Sequence, residues 1–99
     1  MSEEPHPVQF RGDGGLTLVG DEWNRTAATE RPIVLMLHGG GQNRFSWKKT
    51  GQILADRGFR VIALDARGHG DSDRAPGGEY TVHALARDIA AVLTQIDRP

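Results

Sequence analysis

Two apolar runs constrain this chain more than any other feature. Ile33 to His38 reads IVLMLH, and Phe59 to Asp65 reads FRVIALD. Each is of strand length, neither alternates apolar with polar residues, and each leads into a glycine-containing loop and then a segment with helical spacing. A strand that alternates shows one face to water. A strand that does not is covered on both faces, as in a parallel sheet between helices.

The segments around these runs complete an α/β pattern. Met1 to Pro7 reads as a loose arm, and residues 8–99 as one domain. Short strands are expected at Val8 to Arg11 and Leu16 to Asp21, with Asp13, Gly14 and Gly15 supplying the positive φ of a tight turn. Asn24 to Pro32 is a polar connector. Ser46 is placed to cap a helix running to about Arg57, with Trp47, Leu54 and Ala55 inward and Gly58 ending it. Thr81 is placed to cap a second helix. There Val82, Leu85, Ala86, Ile89, Leu93 and Ile96 share one face, and Arg87, Asp88 and Gln95 take the other. The expected order is hairpin, strand, helix, strand, helix. This leaves a sheet with an open edge at 99 residues, and such an edge is an expected site for pairing with a second copy.

Charge and composition narrow the partners. Net charge is −1, from 12 basic and 13 acidic residues, and the basic ones are spread along the chain. This argues against nucleic acid and against a polybasic membrane surface. There are no cysteines, so disulfides and thiol nucleophiles are excluded. No apolar run reaches membrane-spanning length. The polar, acidic N-terminus has no secretory-signal pattern, so a cytoplasmic location is expected.

The loop after the first run, His38-Gly39-Gly40-Gly41, suits an anion, since glycines followed by a helix N-terminus present backbone N–H groups. Three anions compete. A phosphate loop needs glycine at residues 43 and 48, which are Asn43 and Lys48. A dinucleotide fingerprint is satisfied at Gly39 and Gly41 and broken at Arg44, although Asp65 stands about where a ribose-binding acid belongs. An oxyanion loop of the His-Gly-Gly-Gly type fits without a mismatch.

The second loop, Asp65-Ala66-Arg67-Gly68-His69-Gly70-Asp71-Ser72, bears on that choice. With "HG" after one strand and D-x-R-G-H-G-x-S after the next, the chain resembles the α/β-hydrolase superfamily. The branch is that of esterases, haloperoxidase-like enzymes and epoxide hydrolases, and the likeness runs from the hairpin to Ile96. The resemblance implies the N-terminal part of an α/β-hydrolase fold. It also implies a hydrolase of small-molecule esters or related substrates, using a nucleophile, a histidine and an acid. Under it, the Gly40 N–H is one half of an oxyanion hole, with Gly41 as the fallback, and Phe45 and Trp47 are substrate-pocket candidates. His38, Gly39, Asp65, Arg67, Gly68, His69, Gly70 and Ser72 form the structural motif.

The resemblance places the nucleophile elbow just after Pro99, and the acid and the catalytic histidine later still. Ser72 copies part of G-x-S-x-G but has Arg74 where glycine is needed. No nucleophile is therefore expected in this chain, and the 99 residues alone are expected to be inactive. No metal and no cofactor are implied. His38 and His69 are expected to brace their loops through backbone hydrogen bonds, and Arg67 to tether its own. Two other readings stay open. One is a truncated, non-catalytic binding or dimerising module, and the other is a dinucleotide-binding α/β domain.

Overall fold

The computed structural model describes residues 4–26, 32–39 and 41–96. Its strands are β1 (His6–Arg11), β2 (Thr17–Trp23), β3 (Ile33–Leu37) and β4 (Arg60–Leu64), and its α-helices are α1 (Lys48–Asp56) and α2 (Val82–Ile96). The four strands form one mixed sheet in the order β1-β2-β4-β3. β2 runs antiparallel to both β1 and β4, and β3 and β4 are parallel, with Leu35 opposite Ile62.

β4 is buried at every residue: Val61 to Leu64 are its apolar run, and Arg60 is buried with its Nε donating to Glu22 Oε2 at 2.7 Å. Its side chains alternate between two cores. Ile62 and Leu64 join Leu18, Val92 and Ile96 under α2. Val61 and Ala63 join Trp23, Met36 and Ala55 on the α1 side. β3 is outermost among the described residues. Its apolar run is accordingly only half covered, with Ile33, Val34 and Leu35 half-buried and Leu37 exposed.

Several boundaries differ from the expected ones. β1 begins at His6, inside the arm expected over residues 1–7, because His6 and Pro7 pair in register with Glu22 and Asp21. Pro7 is tolerated there because β1 is an edge strand. In the hairpin turn the positive φ falls on Gly14 and Gly15, whereas Asp13 keeps an ordinary backbone. The connector residues 27–31 lie outside the described residues.

The cap expected at Ser46 is at Asn43, whose side chain accepts the Phe45 N–H at 3.0 Å. That cap starts a 3₁₀ turn over Arg44–Trp47, and Ser46 is exposed within it. The α-helix follows from Lys48, and Gly58 (φ 92°) closes its end. Thr81 does cap α2, accepting the Ala84 N–H at 3.1 Å.

The largest correction concerns the inner face of α2. The buried residues are Ala84, Asp88, Val92 and Ile96, whereas Val82 is 78% exposed, Leu93 is half exposed and Ala86 faces out. The stripe is rotated by about one residue from the apolar one read off the sequence. Small Ala84 faces inward, and Asp88 has a buried partner waiting in the loop after β4.

Candidate functional site

The loops after β3 and β4 leave the same end of two adjacent parallel strands, so they lie side by side. His38 makes the first link between them. The Ala66 N–H donates to His38 Nε2 at 3.0 Å. An amide nitrogen can only donate, so Nε2 carries no hydrogen, and Nδ1–H donates to the Gly39 carbonyl at 2.8 Å. His69 lies beside it, ring centroids 5.1 Å apart, with Nδ1–H donating to the Arg67 carbonyl at 3.0 Å. Both histidines therefore brace their loops.

Asp65 makes the second link. Its carboxylate is fully buried and accepts the Arg44 backbone N–H at 2.6 Å, the Arg44 guanidinium, and the Asp71 N–H at 3.0 Å. Three donors around one carboxylate satisfy it without water. They also leave it no face for a ribose, which removes the feature that favoured a dinucleotide. Gly70 is required beside it. A Cβ there would stand 2.3 Å from Asp65 Oδ2, and its φ of +51° is left-handed.

Arg44 itself reaches three acids. Beyond Asp65, its Nη1 donates to Asp71 Oδ2 at 3.0 Å, and its Nε lies 3.2 Å from Asp21 Oδ1. Burial opposes its charge, but the hydrogen bonds to Asp71 and Asp65 and the neighbouring Asp21 carboxylate outweigh burial and hold its pKa above the ordinary arginine value. The guanidinium also sits over the Phe45 ring, 4.4 Å from its centroid.

Arg67 joins the second loop to α2. Its Nε and Nη2 form a buried fork with Asp88 of α2 at 2.7 and 2.9 Å, and Nη1 donates to the Glu79 carbonyl at 2.9 Å. The Asp88 hydrogen bonds are the main cause of a pKa above the ordinary arginine value. The other oxygen contact of Asp88 is the Asp13 N–H at 2.9 Å, so hairpin turn, loop and helix meet at one carboxylate.

Ser72 is occupied on both sides. Its hydroxyl accepts the Val19 N–H at 2.8 Å and donates to the Asp65 carbonyl at 2.7 Å. A buried hydroxyl bonded to backbone has no base to activate it, so its part is to hold the loop against β2. Gly68 packs against the Tyr80 ring and donates its N–H to the Asp73 carbonyl at 2.9 Å.

In the glycine loop, Gly39 and Gly41 are exposed, and Gly41 has φ +76°. Gly40, the expected oxyanion donor, lies outside the described residues. Of the pocket candidates, Phe45 is 53% exposed, while Trp47 packs against the α1-side core. A mainly apolar cavity of about 180 Å³ lies where the two loops meet α2, lined among others by Leu37, His38, Ala66, Leu85 and Ile89. Among the described residues no cluster of metal-ligating side chains occurs, and no helix is long and apolar enough to cross a membrane.

Arg44, Asp21 and Asp88 were not singled out as site residues from the sequence. For Asp88 a signal existed, since it stands alone among apolar residues in the series Ala84, Asp88, Val92, Ile96. A lone acid in an apolar stripe asks for a buried base. Arg44 carried no such mark.

The comparisons with known proteins agree with this geometry. The α/β hydrolase fold family matches residues 32–99. An AB hydrolase superfamily protein, YfhM, of Bacillus subtilis is 36% identical over 91 residues, covering 88% of this chain and 30% of that protein. Epoxide hydrolase 2 of Siraitia grosvenorii is 39% identical over 66 residues, covering 66% of this chain and 21% of that protein. Among solved structures, epoxide hydrolase VrEH1 from Vigna radiata superimposes with a TM-score of 0.80 at 30% identity, covering 94% of this chain and 29% of that one. The chain thus spans less than a third of the length of each of these relatives. Two clamped loops at the ends of parallel strands, on a sheet shared with these proteins, lead to one conclusion: the chain belongs to the α/β-hydrolase-fold family.

Proposed function

We propose that this chain is the N-terminal segment of a hydrolase acting on small-molecule esters or related substrates by covalent catalysis. The reading rests on one observation. The glycine loop is tied at His38 and again at Arg44 to the adjacent residues Asp65 and Ala66. A loop held at both ends can present a backbone N–H at a fixed place, which is what stabilising a developing oxyanion requires. The names of the relatives, epoxide hydrolases and a protein phosphatase methylesterase, support hydrolytic chemistry.

In this reading the Gly40 N–H, with Gly41 as the fallback, supplies one half of the oxyanion hole, and Phe45 borders the substrate. The nucleophile, its histidine base and the orienting acid come from sequence beyond Pro99, and the protein works in the cytoplasm without metal or cofactor. A serine attacks the substrate carbonyl carbon while the histidine takes its proton, and charge gathers on the carbonyl oxygen facing the loop. With an aspartate in its place, the carboxylate first forms an ester with the substrate carbon, and the oxyanion forms when water, giving its proton to the histidine, attacks that ester. The 99 residues alone hydrolyse nothing specifically.

Reading the coding DNA past the Pro99 codon tests this first. A strand followed by G-x-S-x-G, or by aspartate at that position, supports the hydrolase. A stop codon overturns it and favours a non-catalytic module that pairs its open edge. In the longer protein, Gly40→Pro removes the donor and lowers kcat by about 10²–10³. Unchanged turnover would move the role to Gly41.

A further inference from the structure

The described residues of the glycine loop share few bonds with one another. These are the Gln42 N–H to the Gly39 carbonyl at 3.2 Å, the Gly39 N–H to Gln42 Oε1 at 3.1 Å and His38 Nδ1–H to the Gly39 carbonyl at 2.8 Å. Glycines lose more conformational freedom on ordering than other residues, so a run of them keeps one shape only if its ends are fixed. The N-terminal end is fixed by one neutral hydrogen bond, from Ala66 to His38. The C-terminal end is fixed by the charged set around Arg44.

That set is unequal. One guanidinium faces Asp21, Asp65 and Asp71, which come from β2 and from two points of the loop after β4. With Arg44 in place, its charge-assisted bonds draw the loop exit down onto Asp65. Without it, three carboxylates face one another with no cation between them, and the Arg44 backbone N–H alone is left to hold the loop exit to Asp65. No other described cation reaches Asp65.

We infer that Arg44 is a positioning residue: it latches the glycine loop to Asp65 and so sets where the loop's backbone N–H groups point. The inference deepens the oxyanion reading and rests on it for the catalytic meaning of that geometry. The latch itself is a property of this chain and is measurable without activity.

The test is amide exchange in the ¹⁵N-labelled chain and its variants Arg44→Gln and Arg44→Lys. In Arg44→Gln the Gly39 and Gln42 amides exchange about tenfold faster or more, while the β4 amides of Val61 to Leu64 stay within about twofold, the signature of local release. Arg44→Lys, which keeps the charge and loses the planar fork, falls between. Three results overturn the latch: unchanged loop exchange, equal acceleration in β4, or loss of folding in both variants, the last two marking a role in global stability. In the longer protein Arg44→Lys lowers kcat on p-nitrophenyl acetate with KM within about twofold. If that protein is inert towards esters while loop exchange still responds to Arg44, the hydrolase reading fails and the latch stands. If esters are cleaved and loop exchange ignores Arg44, the latch fails alone.

Discussion

The Ala66 N–H and His38 Nε2 meet at 3.0 Å across 28 positions of sequence, joining the loop after β3 to the loop after β4. The bond requires an unprotonated Nε2, so the histidine that ends the first apolar run serves as an acceptor for its neighbour's backbone. Replacing it removes the only described partner of that N–H. His38→Ala is expected to destabilise the fold by about 1 kcal/mol, the low end for an orphaned donor because the site is only half-buried. Urea denaturation measures this, and an unchanged midpoint would mean water replaces the imidazole freely.

The Arg67–Asp88 fork is buried on both sides, so breaking it leaves a charge without its counterion. Asp88→Ala is expected to cost about 3–5 kcal/mol, whereas the double change Arg67→Met with Asp88→Leu costs far less than the two single changes summed. The pH dependence follows from Arg67. Its pKa is raised in the fold, so its share of stability is complete below the ordinary arginine value and is lost only as pH rises through the still higher folded value. The penalty of Asp88→Ala on the arginine side is therefore the same in neutral and mildly alkaline buffer. Denaturation at both conditions checks it.

Gly51 lies in α1 against the Trp23 ring, where a Cβ would stand 2.6 Å from Cη2 and 2.8 Å from Cζ3. Alanine would gain about 1 kcal/mol of helix propensity. Overpacking a filled core costs about 1–3 kcal/mol. Trp23 is fully buried and its Nε1 donates to Gln52 Oε1 at 3.0 Å, so the ring has little freedom to retreat. Gly51→Ala is accordingly expected to lower stability and to shift tryptophan fluorescence, and a more stable variant would contradict the packing.

Neighbouring residues on α2 separate the observed face from the one expected from apolar spacing. Val92 is fully buried and Leu93 is half exposed. Val92→Asp is expected to unfold the chain, because an unpaired buried carboxylate has no compensation. Leu93→Asp is expected to stay within about 0.5 kcal/mol of the parent. Circular dichroism and urea denaturation of the two variants would show the reverse order if the helix were rotated.

What the sequence determined by itself is local. The runs at Ile33 to His38 and Phe59 to Asp65, the turn at Gly14 and Gly15, the Thr81 cap and the Gly58 stop were all legible, and each depends on residues within a few positions of one another. The motif loops were legible as patterns too. What tertiary structure decided is how α2 is rotated and what holds the two loops together. Both depend on ion pairs, Arg44 with Asp65 and Arg67 with Asp88, and each spans 21 residues. Apolar periodicity announces that a helix has a buried face, and in α2 it set that face about one residue off. A charged residue becomes an inner residue only when its counterion arrives from elsewhere in the fold; the apolar neighbours of Asp88 mark its need for a partner, but nothing local names Arg67, and Arg44 carries no local mark at all.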